Sequence, residues 1–319
     1  MSNIELIRQS AEINPLYLLF EVESFWERHN NVILNQTWVP RYKKYSDWSL
    51  SFNGDLKQIF NIKNQDTFDY LYKKATNGPG QEKNKIKTLH SSSLMPLLFF
   101  HSISADNPFY VSIEGKMVPF TRYVPEEENE VEPGSKNKSS VDVALFNDIE
   151  KIIVLFESKF SEYLVPDSTG VSLTPYYHKI YRELEDTFKT IGIEVKDWDS
   201  YKTSIRTVKG GAPRYCQGPK QMISHFLGVK TEISRKFLGY RVFLGELLFD
   251  FNDVVPGARD CLNKYRDEVY APLASALREF SKGDFSILPI TTFQELISYE
   301  ENQAYYNNLE QEIKEYYRL

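Results

Sequence analysis

The run Ile152-Ile153-Val154-Leu155-Phe156 is apolar without a break, and it turns abruptly into Glu157-Ser158-Lys159. A strand covered on both faces reads this way, because neither side of its pleat meets water. Ser140 to Phe146 reads as the strand before it, with Asn147-Asp148-Ile149-Glu150 as the turn between them. A doubly covered strand needs layers above and below, and the flanking sequence offers helices for both.

Residues 1 to about 105 read as an N-terminal helical region, with Ile4 to Ile13 and Leu16 to Trp26 at roughly helical spacing. Gly78-Pro79-Gly80 breaks that region, and Lys87 to Phe100 reads as its last helix, which Pro96 should end or kink. The core is expected over 106–292. It starts with strand material at Tyr110 to Ile113 and Met117 to Val124, followed by Glu126 to Glu132 as a solvated acidic loop. A helical insertion is expected at about 161–217, with a helix from Tyr176 to Thr190. Gly218-Pro219 opens a helix from Lys220 to Leu227, and Gly228 stops it. Tyr240 to Phe249 is a further buried strand, Cys261 to Phe280 a helix, and Phe285 to Ile290 strand-like. From Thr292 onward a C-terminal helix is expected, filling 293–319. The fold class is α/β, a central mixed sheet flanked by helices.

Composition narrows the function classes. The chain has 319 residues, 41% of them hydrophobic, which suffices for a sizeable core. Two cysteines make no disulfide framework, and no Cys/His spacing resembles a zinc site. Charges interrupt the first 25 residues, and no apolar run reaches the ~18 residues of a membrane span. The expectation is a soluble, cytoplasmic protein with no membrane partner. A net charge of −6 argues against a wholly basic surface that coats nucleic acid, and leaves room for a local basic groove.

The chemistry concentrates at the end of the apolar run. A hairpin turn centred between Ile149 and Glu150 sets Asp142 directly across from Glu157, with Cβ atoms roughly 4.5–5.5 Å apart. Lys159 follows on the same face. Two opposed carboxylates destabilise a sheet, or one takes up a proton, unless a cation sits between them. Lys159 supplies one positive charge, and a divalent cation would supply the rest. The same three residues would also make an ordinary ion-pair cluster at the sheet's rim. A one-residue register slip would separate them.

A hairpin carrying Asp142 and then Glu157-Ser158-Lys159, followed by a helix and another buried strand, resembles the PD-(D/E)XK nuclease superfamily, the restriction-endonuclease-like fold. The helix Lys220 to Leu227 is similar to the one that often brings a glutamine to that site, here Gln221. Leu89-His90-Ser91-Ser92 resembles a segment of an uncharacterised bacterial family within the superfamily. The likeness spans roughly 87–292. Val141 stands where the family name has proline, and Lys87 to Phe100 has no acid where some members carry a glutamate, so that Glu114 or Glu126 would have to substitute. The resemblance implies a Mg²⁺- or Mn²⁺-dependent endonuclease that hydrolyses DNA. Asp142, Glu157 and the Ser158 carbonyl would hold the metal, Lys159 would assist catalysis and Gln221 would support it. Lys159→Ala would then abolish cleavage and leave the fold intact. The alternative is a catalytically inactive nuclease-fold protein that binds nucleic acid or a protein partner.

Other features are weaker. Lys209 and Arg214 bracket a glycine-containing basic loop, and with Lys220 they are the candidate nucleic-acid contacts. Cys216 with His225 would suit a thiol nucleophile and its base, although a buried structural thiol explains Cys216 as well. The pairs Tyr176-Tyr177, Tyr305-Tyr306 and Tyr316-Tyr317 would stack bases or pack helices.

Overall fold

The computed structural model describes residues 38–40, 50–52, 54–77, 86–87, 91–160, 162–164, 171–173, 175–191, 193–196, 203–207, 217–251 and 257–319. The readings for Ile4 to Ile13, Leu16 to Trp26, Gly78-Pro79-Gly80, Leu89-His90, Lys209, Arg214 and Cys216 lie outside these residues.

The protein is mixed α/β. Its main sheet contains β5 (Arg122–Glu130), β6 (Lys138–Asn147), β7 (Ile152–Lys159), β11 (Arg241–Leu248) and β12 (Ser286–Ile287), with β13 (Thr291–Thr292) also paired to β11. Strands β5, β6 and β7 are antiparallel neighbours, and β7, β11 and β12 run parallel. The crossover from β7 to β11 carries α6 (Gln217–Glu232), as a parallel connection requires. Every residue of β7 is buried, as its apolar run demands.

The β6–β7 turn forms because the Asn147 side chain accepts the N–H groups of Ile149 and Glu150 at 3.1 and 2.8 Å, while Lys151 takes up φ +56°. The register is the one a turn centred between Ile149 and Glu150 dictates: Asn147 faces Ile152, and Val143 faces Phe156. The ladder ends there, one pair before Asp142 and Glu157.

Several expectations are corrected. The acidic segment is part of β5 and not a solvated loop. Its carboxylates are paired from distant elements: Glu127 with Lys236 and with Lys74 of α2 (Gln65–Thr76), Glu128 with Lys138 at 2.5 Å, and Glu130 with Arg235 at 2.7 Å. Gly228 does not stop α6, which runs four residues past it. A Cβ there would lie 2.9 Å from that of Asn129, so the glycine lets the helix settle onto β5. The helix expected from Lys87 shortens to α3 (Leu94–Phe100), with Pro96 in its first turn, where a missing N–H costs nothing.

Tyr176 to Thr190 divides into α4 (Pro175–Glu183) and α5 (Glu185–Thr190). The insertion is not purely helical, since it also holds an antiparallel sheet of β8 (Val171–Leu173), β9 (Ile193–Lys196) and β10 (Thr203–Thr207). The N-terminal region likewise contains paired strands β1 (Trp38–Pro40) and β2 (Leu50–Phe52) beside α1 (Leu56–Ile59) and α2. The stretch from Cys261 to Phe280 is α7 (Ala258–Tyr265) and α8 (Ala271–Ser281), joined by a π-helical turn at Arg266–Tyr270. The C-terminal helix is three short ones, α9 (Phe293–Ser298), α10 (Gln303–Asn308) and α11 (Gln311–Tyr317). Tyr305 and Tyr317 are buried in the core, and the Tyr305 hydroxyl donates to the Phe99 carbonyl at 2.5 Å. The strand material at Tyr110 to Ile113 lies in β3 (Phe109–Ile113), which pairs with β4 (Lys116–Phe120), while Met117 to Val124 is divided between β4 and the start of β5.

Candidate functional site

The pairing of four strands lines up four carboxylates across the sheet. Glu126 sits on β5 opposite Asp142, between the pairs Pro125–Val143 and Glu127–Val141, with φ at +49°. Asp142 lies one position past the last β6–β7 pair and so comes beside Glu157. Glu246 of β11 is the parallel register partner of Glu157. Such a row is unstable by itself, and the surrounding groups show how it is held.

Glu157 is 3% exposed and held by three partners. Its Oε1 accepts from Lys159 Nζ at 2.6 Å and from Gln221 Nε2 at 2.7 Å, and its Oε2 pairs with His225 Nε2 at 2.7 Å. Lys159 also donates to Gln221 Oε1 at 2.7 Å. Behind His225, its Nδ1 meets the buried Ser139 hydroxyl at 2.5 Å, which fixes the ring's orientation. Asp142 is half-buried; its Oδ2 accepts the Ser158 N–H at 2.8 Å, and its Oδ1 accepts the Ser93 hydroxyl at 3.4 Å. Ser93 lies just ahead of α3 and also reaches Glu126 at 3.5 Å.

These surroundings drive the carboxyl groups apart. Burial favours a proton on Glu157, but Lys159 and His225 outweigh it and hold the carboxyl at about 2. Burial, then the charges of Glu157 and Glu126, push Asp142 well above the usual carboxylate range. Glu246 is 0% exposed, and burial raises it to about 7 despite Lys159 and the Tyr265 hydroxyl, which donates to its two oxygens at 3.1 and 2.9 Å. Burial alone would lower Lys159, but Glu157, Glu162, Glu246 and Asp142 surround it and raise it above the ordinary lysine value. Gly218 belongs to the same construction, since a Cβ there would lie 2.6 Å from the Tyr265 hydroxyl.

Asp142, Glu157, Lys159 and Gln221 are therefore brought together, from β6, β7 and α6. Ser158 touches Asp142 through its N–H. Lys220 is half-buried one residue before Gln221, and burial lowers its ammonium group. Glu114 is elsewhere, paired with Arg241 at 2.7 Å. Lys159 is buried among carboxylates, so its removal is expected to destabilise the fold as well as affect any chemistry, against the expectation of an intact fold.

Sequence reasoning missed Ser93, Ser139, Glu246 and Tyr265, and did not place His225 at this site. His225 had a readable signal, because it stands four residues after Gln221 and shares its helical face. Glu246 had one too, as the lone acid in the apolar run Val242 to Phe249. Among the described residues, no group of three or more His, Cys, Asp or Glu side chains is arranged to hold a metal ion. No helix among them is long and apolar enough to cross a membrane. No family model matches the sequence, and neither a curated protein nor a solved structure matches the chain.

Proposed function

We propose that the protein is a divalent-metal-dependent nuclease of the restriction-endonuclease-like class, hydrolysing phosphodiester bonds of DNA. The convergence of Asp142, Glu157, Lys159 and Gln221 on one point, from a hairpin and the helix after it, carries this reading. The order of helix, three antiparallel strands, crossover helix and parallel strand supports it.

The donors suit a hard cation that keeps most of its water. Glu157 Oε1 is saturated by two donors, but Oε2 has one and retains a lone pair. Each Asp142 oxygen accepts one bond and likewise retains one. Two carboxylates with waters and substrate phosphate match Mg²⁺ or Mn²⁺ better than an all-protein cage. Asp142, Glu157 and the Ser158 carbonyl would hold the ion, which when bound supplies Lewis-acid polarisation of the phosphate and a more acidic water. The chain's own part is positional and electrostatic. His225, anchored by Ser139, holds the Glu157 carboxylate in one orientation. Gln221 ties Glu157 to Lys159. The Lys159 ammonium is a fixed positive charge for the phosphate oxygens as negative charge builds on them.

The second reading is a nuclease fold that binds without cutting, and the three donors already occupying Glu157 favour it. A calorimetric Mn²⁺ titration of the wild type beside Asp142→Asn separates the two. Saturable binding that the variant loses supports the nuclease. Folded wild-type protein that takes up no Mn²⁺ at millimolar concentration supports the binding module.

A further inference from the structure

We infer that a cavity beside β5 seats one base of a single-stranded DNA substrate; the inference rests on the nuclease reading and adds the strandedness of what is cut. The cavity measures about 400 Å³ and is walled by Tyr70 of α2, Arg122 of β5, Phe146 of β6 and Tyr240 just ahead of β11, with Lys74 and Lys236 also lining it. That volume lies in the range of small-ligand sites, enough for a nucleotide and far too small for a duplex.

The lining has the two properties that unpaired nucleic acid requires. The first is flat π surface. Tyr70 is 68% exposed, a large ring held in water. Elsewhere in the lining Phe146 is buried with the Arg122 guanidinium 3.7 Å over its ring, and Lys151 lies 4.9 Å over Tyr240, so the ring left for a base is that of Tyr70. Stacking on such rings is open to any base, because every base has a π face.

The second property is local positive charge on a chain whose net charge is −6. Lys74 and Lys236 share the Glu127 carboxylate and Arg122 is paired with Asp148 at 2.9 and 3.1 Å, which leaves three cations against two carboxylates around this cavity.

The cavity borders the Glu126 edge of the candidate site, although Asp142, Glu157, Lys159 and Gln221 line neither it nor its neighbour. A larger one of about 760 Å³ shares Tyr70, Lys74, Glu127 and Lys236 with it and extends to Glu126, the residue opposite Asp142. From Arg122 to Glu126 is four strand residues, about 13 Å at the rise of a β-strand. A base seated against Tyr70 therefore shares a cavity with Glu126, the residue opposite Asp142. The larger cavity carries more carboxylates than lysines, so phosphate is gripped at the first cavity and meets the acids only where a cation would join it.

The test is fluorescence anisotropy with a short labelled oligothymidylate in EDTA, against a duplex of the same length, for the wild type, Tyr70→Ala and Tyr70→Phe. Tyr70 is exposed on its helix, so neither substitution disturbs the core. The expected result is tighter binding of the single strand than of the duplex, a loss of roughly 5- to 100-fold in Tyr70→Ala, and near-wild-type binding in Tyr70→Phe. Equal binding by Tyr70→Ala, preference for the duplex, or no binding of the single strand would each overturn the inference. The nuclease reading fails separately: Tyr70-dependent binding by a protein that takes up no Mn²⁺ and cuts nothing removes the nuclease and leaves the base site. Metal-dependent cleavage with binding indifferent to Tyr70 does the reverse.

Discussion

Glu246→Gln isolates the charge of a fully buried carboxyl group. In the folded protein Glu246 is raised from its ordinary value of 4.5 to about 7, chiefly by burial. The folded state therefore holds this proton more tightly than the unfolded chain. Its stabilising contribution is complete below pH 4.5 and is lost as pH rises through 7. A difference of that size corresponds to about 3 kcal/mol, of which about 2.5 kcal/mol disappears between pH 5 and 8. Glutamine removes the titration and keeps an acceptor for Tyr265. Any fixed cost of its added N–H is the same at both pH values. Asp142 is also raised and adds a slope of the same sign in both proteins. Glu157, held at about 2, is ionised across this window and adds none. Urea unfolding followed by far-ultraviolet circular dichroism at pH 5 and pH 8 measures the difference. Relative to wild type, Glu246→Gln should gain about 2.5 kcal/mol on going from pH 5 to pH 8. A difference that does not change with pH, or that changes with the opposite sign, would refute the assignment of a protonatable Glu246.

The neighbouring groups yield further expectations. Lys159→Met leaves Glu157 buried beside Asp142 and Glu246 without its ammonium partner and should cost about 3–5 kcal/mol at pH 8. The cost should shrink at pH 5, where the orphaned carboxyl groups take up protons, and the same urea series reads both values. Gly228→Ala should destabilise in spite of the better helix propensity of alanine. Its Cβ would meet that of Asn129 at 2.9 Å, and overpacking at about 1–3 kcal/mol outweighs a gain of about 1 kcal/mol; thermal unfolding of the variant checks this. Asp142→Asn should lose Mn²⁺ binding, and its stability should fall less than that of the wild type as pH rises, because the raised Asp142 titration is gone.

What could be read from the sequence was set by near neighbours along the chain. The unbroken apolar run of β7, the Asn147 turn and the short span between strands determine the hairpin and its register, and with them the approach of Asp142 to Glu157. Lys159 follows from its offset of two residues, and Gln221 from the helix after the hairpin. Tertiary structure decided the rest, because the deciding partners are remote in sequence. The segment Glu126 to Glu130 is polar enough to read as a loop, yet Lys74, Lys236 and Arg235 neutralise it and make it an edge strand. Gly228 has the local signature of a helix stop, but Asn129 across the packing interface gives its missing side chain a different use. Glu246 joins the row of acids only because β11 lies parallel to β7, and its proton is held by burial against the opposing pull of Lys159 and Tyr265, which reach it from other elements. Local pattern determines strands and turns because backbone geometry has a short period. Charge balance in a buried site is a sum over whatever the fold brings within a few ångströms, and that sum exists only once the chain has folded.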